Sequence, residues 1–272
     1  MILLVRIYRF KSLRALWNDS PPLALLFLSI SLLSVGYGLN GTVWVLFIFQ
    51  LLPNTVGTAL ILIIIGFSAT GLQLFYISST LGVFIQRIYF FIYPLNPTGR
   101  INKVIVGIVA ALTVASGLSY GLADTIHIVP VPDECYSLNC TRFIIKRSFS
   151  ISCILVLSIL ILVLGVTLQI VYVRFRNKNH SAKAITINKF VRYTFYLRLL
   201  WETTPFFVDV ALATTMDFHI GLYIGPYGAL GSTVDFFTSS LLYYVLVVRK
   251  YVDKQTSSQN NDRNGRVFVL RP

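Results

Sequence analysis

The sequence predicts an all-α membrane protein, a polytopic bundle of transmembrane helices with six full spans. Its composition indicates that class, because 56% of the 272 residues are hydrophobic and only 12% are charged, about half the charged share of an ordinary soluble domain. The apolar residues also lie in continuous runs, several of which reach the roughly 20 residues that a helix needs to cross a bilayer. These two observations exclude a soluble enzyme, a disordered protein and a fibrous protein.

Six apolar segments have the length of a spanning helix. They lie near residues 22–50, 56–93, 104–123, 148–173, 193–213 and 222–248. Arg87 is the one charged residue between Pro22 and Pro94, so this stretch fits either two long helices or three short ones. A turn between two long helices is expected at the Leu-Pro-Asn of residues 52–54. Residues 1–254 are expected to form one transmembrane domain, and the polar residues 255–272 a flexible cytoplasmic tail.

The distribution of basic residues selects two long helices over three short ones. Cytoplasmic loops carry an excess of Lys and Arg, and with two long helices most of the 23 basic residues fall on one side of the membrane. Three short helices would move Arg100 and Lys103 to the other side and weaken this bias. The sequence therefore predicts six spans with both termini in the cytoplasm. The net charge of +13 indicates orientation and a contact to anionic membrane lipid, and no nucleic-acid partner is expected.

The loop at about residues 124–147 is expected outside the cell. It contains the sequon Asn139-Cys140-Thr141, which makes Asn139 a candidate glycosylation site. It also contains Cys135 and Cys140, a candidate disulfide on the oxidising side of the membrane. The two thiols either pair with each other or stay free.

Ionisable residues inside the expected spans are candidate functional groups, because a charge at membrane depth is costly. Arg87 closes the second segment and is either a cation that reaches out to the membrane surface or a cytoplasmic switch. Glu202, Asp209 and Asp235 lie in the last two segments and are candidate polar groups of a cavity. Arg198 precedes Glu202 by four residues, so the two share a helix face and are placed to pair. For Asp235, both a contact to a neighbouring helix and a contact to a ligand stay open.

The sequence contains no motif for catalysis or for metal binding. His-Glu-x-x-His, Gly-x-Ser-x-Gly and phosphate-binding loops are missing, and the three histidines are scattered over loops on both sides. We therefore expect no catalytic residue, no metal and no cofactor, and the chain is not expected to be an enzyme. A receptor needs only a helical bundle, a ligand cavity and a basic inner face, whereas a transporter more often has repeated halves with matching broken helices.

Four short segments carry a family resemblance. They are Ile7–Leu13, Gln86-Arg87 with Tyr93-Pro94-Leu95, Glu134–Cys140, and Gly225-Pro226-Tyr227. They resemble the first inner loop, the end of the third helix, the outer loop and the start of the last helix in the nematode serpentine chemoreceptors, most of all class BC. The resemblance covers about residues 5–250.

The resemblance implies a seven-helix fold of the G-protein-coupled receptor type. It also implies a location in the plasma membrane, including the membrane of sensory cilia. It implies a small-molecule chemical cue as ligand and a heterotrimeric G protein as partner, with Gln86, Arg87 and Pro94 as the cytoplasmic switch. The chain departs from the family twice. Gln86 replaces an acidic residue, which removes an ionic restraint on Arg87. Of the first helix only residues 1–5 remain, which leaves six full spans.

The sequence thus predicts a chemosensory receptor of this type whose first helix is truncated. One alternative is a small-solute transporter or channel that uses Glu202, Asp209 and Asp235 as a polar pathway across the bundle. Another is a non-signalling truncated relative of the receptors, which reaches the membrane and gives no ligand-dependent response.

Overall fold

The computed structural model describes residues 2–94, 98–123, 148–175, 182–216 and 227–249, and every regular element in these ranges is a helix. The α-helices are α1 (Ile2–Phe10), α2 (Leu13–Asp19), α3 (Pro21–Ile48), α4 (Val56–Ile92), α5 (Thr98–Ala123), α6 (Ser148–Phe175), α7 (Ala182–Arg198), α8 (Thr204–Thr215) and α9 (Tyr227–Tyr243). Two π-helical segments continue them: π1 (Leu199–Thr203) joins α7 to α8, and π2 (Tyr244–Arg249) extends α9. The expected all-α class is confirmed.

Among the residues that the structure describes, five helices are long and apolar enough to cross a membrane, as a polytopic membrane bundle requires. They are α3, α4, α5, α6, and α9 with its continuation π2. The expected total of six spans stays a prediction. The remaining segment, near residues 193–213, is helical throughout, but π1 divides it and none of its pieces alone has spanning length.

The stretch before Pro94 holds two long helices, as the distribution of basic residues predicts. The first of them, α3, ends at Ile48. Two residues further on, Gln50 has a left-handed φ of 58°, which reverses the chain beyond the helix. The second begins where the hydroxyl of Thr55 accepts a hydrogen bond from the N–H of Thr58 at 3.3 Å, a typical N-cap. With 37 residues, α4 is about 55 Å long. The hydrocarbon core of a bilayer is about 30 Å thick, so α4 projects beyond it or crosses it at a tilt.

The bundle is packed most tightly towards the end at which α3 begins and α4 ends, here called the inner end because the sequence predicts it to face the cytoplasm. The main core takes residues from α1, α3, α4, α6, α7, α9 and π2. At its centre the ring of Tyr243 lies 4.5 Å from that of Phe27 and 5.3 Å from that of Phe190, both edge to face. By contrast, no residue of α8 is buried, so the bundle is looser at its outer end.

The short helix α1 packs beside α3 and the last helix. Leu4 and Ile7 are buried in the main core, and the hydroxyl of Tyr8 donates a hydrogen bond to a backbone carbonyl of α3 at 3.0 Å. The sequence predicts that residues 1–5 are the remnant of a first helix, and this stays a prediction. The structure shows a helix of nine residues there, Ile2–Phe10, whose buried face carries Leu4 and Ile7.

The close approach of α9 to π1 depends on Gly231. A Cβ atom at this position would collide with the backbone carbonyl oxygen of Trp201. A flexible side chain can move aside, whereas a backbone carbonyl moves only if π1 itself moves. Gly231 therefore sets the distance between the two segments, which carry the neighbouring residues Glu202 and Ser232.

Replacing Gly231 with alanine is expected to destabilise the protein by about 1–3 kcal/mol, the usual cost of overpacking an interior. The measurement is thermal unfolding of the purified protein in detergent micelles, in which the melting temperature should fall. Gly107→Ala is the matched control, because Gly107 also lies in a helix and its Cβ would meet nothing within 4 Å. Equal melting temperatures for the two variants would contradict the close packing of α9 on π1.

Candidate functional site

Buried polar side chains form a network between α4, the α7–π1 segment and α9. Arg198, the last residue of α7, is fully buried. Its guanidinium forms an ion pair with Glu202, with 2.8 Å between Nη2 and Oε2, as the four-residue spacing predicts. The Nη1 atom donates a hydrogen bond to the hydroxyl of Thr80 at 2.5 Å. The guanidinium carbon lies 4.4 Å from the ring centroid of Tyr76, a cation–π contact.

Glu202 lies on π1 and receives hydrogen bonds from two other helices. Its Oε1 atom accepts from Nε2 of Gln73 at 3.1 Å and from the hydroxyl of Ser232 at 3.4 Å. The same amide nitrogen of Gln73 also donates to Ser232 at 3.1 Å. Side chains of α4 and α9 thus converge on one carboxylate. Single π-helical turns within α-helices occur often at functional sites.

Asp235 on α9 is the second carboxyl group of the network and is 0% exposed. The hydroxyl of Tyr76 donates a hydrogen bond to its Oδ2 atom at 2.8 Å. Its Oδ1 atom has no hydrogen-bond partner among the residues that the structure describes. Because the ring of Tyr76 also contacts the guanidinium of Arg198, this tyrosine connects the two parts of the network.

The network holds two carboxyl groups and one guanidinium. Arg198 offsets one negative charge, and its ion pair is with Glu202. An unpaired charge in a membrane interior costs several kcal/mol. An ionised Asp235 would therefore carry the largest energetic cost in the network, because no second cation of the described network faces it. Within the described ranges, no three His, Cys, Asp or Glu side chains lie together as metal ligands would.

Two of the expected switch residues lie at the inner end of α4. Gln86 is buried, accepts a hydrogen bond from the hydroxyl of Ser20 at 2.7 Å and donates one to Oδ1 of Asn102 at 2.8 Å. It therefore ties the start of α3 to α5. Arg87 is 6% exposed and lies 5.7 Å from the ring centroid of Phe90, and its Nε atom has no hydrogen-bond partner in the described part of the chain. Arg87 is thus largely buried, and both interpretations of it, a cation that reaches out to the membrane surface and a cytoplasmic switch, stay predictions.

The structure brings together two of the three expected cavity carboxylates. Glu202 and Asp235 share the network, whereas Asp209 is half-buried on α8, a helix with no buried residue. Pro94 is exposed just beyond the end of α4. The candidate disulfide and glycosylation site, Cys135, Cys140 and Asn139, lie outside the described residues.

Sequence reasoning missed the uncharged members of the network. They are Gln73, Tyr76, Thr80 and Ser232. Such residues are common in transmembrane helices, so residue type alone does not single them out. Their spacing was the available signal, because positions 73, 76 and 80 fall on one face of a helix and positions 232 and 235 on one face of another.

No protein-family profile, curated protein or solved structure matches the chain. The resemblance to serpentine chemoreceptors therefore stays a prediction. What the chain does is inferred from its buried polar groups and from the packing around them.

Arg198→Leu is expected to destabilise the protein by about 3–5 kcal/mol, because it leaves Glu202 buried without its cation. The double variant Arg198→Leu/Glu202→Leu removes both charges and should recover part of this loss. The control is Arg192→Leu on the same helix, since Arg192 is half-buried and contacts the uncharged Gln169 and Tyr172. The melting temperature in detergent micelles reports all three. A shift for Arg198→Leu no larger than that for Arg192→Leu would contradict a stabilising buried ion pair.

Proposed function

We propose that the chain is a chemosensory G-protein-coupled receptor in the plasma membrane. A small-molecule cue binds in the outer half of the bundle, beside α8, and a heterotrimeric G protein binds at the basic inner end. Binding of the cue shifts the population between two arrangements of the helices.

The observation that carries this proposal is the buried network between α4, π1 and α9. Packed interiors tend to have discrete alternative arrangements, so a small shift at one site can be amplified elsewhere. Gln73 bonds both Glu202 and Ser232 at 3.1 Å, so a small displacement of π1 or α9 favours one bond over the other. A contact of this kind is the bistable element that a receptor needs.

The packing at the outer end supports a ligand beside α8. Pro205 is the second residue of α8, just beyond π1, and a proline inside a helical run removes a backbone hydrogen bond. Phe206 and Phe207 on α8 are only half-buried, whereas the inner half of the bundle is closed by its aromatic core. A small apolar molecule between α8 and α9 would cover these rings and displace π1, which carries Glu202.

The inner end offers a basic surface around a buried guanidinium. Arg100 and Lys103 are exposed there, and the acidic residue described at this end, Asp19, is paired with Lys11. Arg87 lies beneath this surface with no carboxylate partner in the described ranges. A protein that docks at the inner end with carbonyl or carboxylate groups would supply the acceptors that this guanidinium lacks.

A cation-coupled transporter of small solutes is the second candidate. It is favoured by the two carboxyl groups that face one guanidinium at membrane depth, because transport pathways use such groups. Solute uptake by reconstituted vesicles that Asp235→Asn abolishes would favour this candidate over the receptor.

Arg87→Ala is expected to abolish coupling to the G protein while membrane insertion stays intact. Binding of a GTP analogue to G proteins is measured in membranes of cells that express the chain, across a panel of volatile and water-soluble small molecules. A compound that stimulates the wild-type chain should lose about tenfold or more of its effect in the variant, a typical allosteric coupling. The amount of protein at the cell surface should not change, because the apolar residues of α4 are untouched.

Arg100→Ala is the comparison variant, since Arg100 is an exposed member of the same basic surface. It removes one of several surface charges and should weaken the response much less than Arg87→Ala does. If Arg87→Ala no longer reaches the membrane, Arg87 anchors α4 and the switch role is wrong. If the wild-type chain stimulates nucleotide binding neither alone nor with any compound, the non-signalling relative describes it better.

A further inference from the structure

Asp235 is the carboxyl group of the network whose charge the described residues do not offset. A few titratable groups lie around it. Those that face it or its immediate neighbours are Tyr76 of α4, Arg198 of α7, Glu202 of π1, and Tyr37 of α3, which packs against Phe236. One of them is a cation, and its ion pair is with Glu202 at 2.8 Å.

The hydrogen bonds at Asp235 suit a neutral acid better than a carboxylate. An ionised carboxylate has about four lone-pair positions to satisfy, and the structure gives Asp235 one donor, the hydroxyl of Tyr76. Ser239 lies one turn further along α9, on the same helix face. It is buried, and its hydroxyl also has no hydrogen-bond partner among the described residues. Oδ1 of Asp235 and this hydroxyl are thus both unsatisfied within the described ranges, and a proton on Asp235 removes the charge that makes the carboxyl group costly to bury.

We propose that Asp235 is a binding site for one exchangeable proton, which supplies the positive charge that the buried network otherwise lacks. The protonated acid keeps the hydrogen bond from Tyr76 and needs no second cation. When the proton leaves to water, two carboxylates share the single guanidinium of Arg198 in an interior of low dielectric constant. The deprotonated state therefore favours a different packing of α9 against α4 and π1.

The proton site goes beyond the proposed receptor function and does not depend on it. In a receptor, a buried acid that exchanges a proton would make the balance between two helix arrangements depend on pH. In a transporter, it would couple proton movement to solute movement. Its test reads the carboxyl group directly. A failed signalling assay leaves the proton site standing, and a failed proton test leaves the receptor proposal standing.

Infrared difference spectroscopy of the full chain in phosphatidylcholine vesicles detects a protonated carboxylic acid by its C=O stretch. We expect this band at about pH 5 and its loss on raising the pH to about 9, within the range that buried carboxyl groups span. Asp235→Asn should remove the band. Asp209→Asn is the matched control, because Asp209 is a half-buried carboxyl group on α8, and it should keep the band. The melting temperature of the wild type should fall by about 2–4 °C over the same range, and that of Asp235→Asn should not.

Tyr76→Phe gives a second reading that holds even if Asp235→Asn does not fold. It removes the donor to Oδ2 of Asp235, so the band should persist and shift in frequency, which a purely structural role for Asp235 would not produce. A wild-type spectrum without a protonated carboxyl band anywhere in this range would overturn the proposal. A band that persists in Asp235→Asn and stays unshifted in Tyr76→Phe would overturn it as well.

Discussion

The cost of a charge at membrane depth is the constraint on which the rest of this structure depends. Arg198 is fully buried, so the bundle itself has to supply partners for its guanidinium. The carboxylate of Glu202, the hydroxyl of Thr80 and the ring of Tyr76 do so, and they come from two helices that are far apart in sequence. These contacts to one guanidinium therefore tie α4 to the α7–π1 segment. The third helix, α9, joins because Gly231 lets it approach π1 without a collision.

The two ends of the bundle differ in how tightly their helices pack, and the polar network lies between them. At the inner end, an aromatic core and the hydrogen bonds of Gln86 to Ser20 and Asn102 hold the helices together. At the outer end, α8 has no buried residue and follows an interrupted helix. In the receptor that we propose, a ligand at the outer end would act on the polar network before the core. The hydrogen bonds that Gln73 donates to Glu202 and Ser232 are the contacts that such a ligand would change.

Much of the fold follows from the sequence, and much of the site does not. Hydropathy and the distribution of basic residues predict the helical class and the two long helices α3 and α4, because each depends on properties of contiguous residues. The pairing of Arg198 with Glu202 is predictable for the same reason, because the two residues lie four positions apart on one continuous helical segment. The hydrogen bond from Tyr76 to Asp235 spans 159 residues, and no local pattern encodes which helices become neighbours. The surface that α1 covers is likewise formed by segments that lie far away in the sequence.

Cross-linking of positions 73 and 232 tests most directly whether α4 and α9 meet across the buried network. The side-chain nitrogen of Gln73 lies 3.1 Å from the hydroxyl oxygen of Ser232. In a variant whose native cysteines are replaced by serine, cysteines are introduced at these two positions. A short bifunctional thiol reagent should join them efficiently. Cysteines at positions 73 and 238 form the control pair, because position 238 lies six residues beyond Ser232 on the same helix, about 9 Å further along its axis and on another face. Rapid linkage of the first pair and slow linkage of the second is the predicted result. Equal or absent linkage in both pairs would contradict the network.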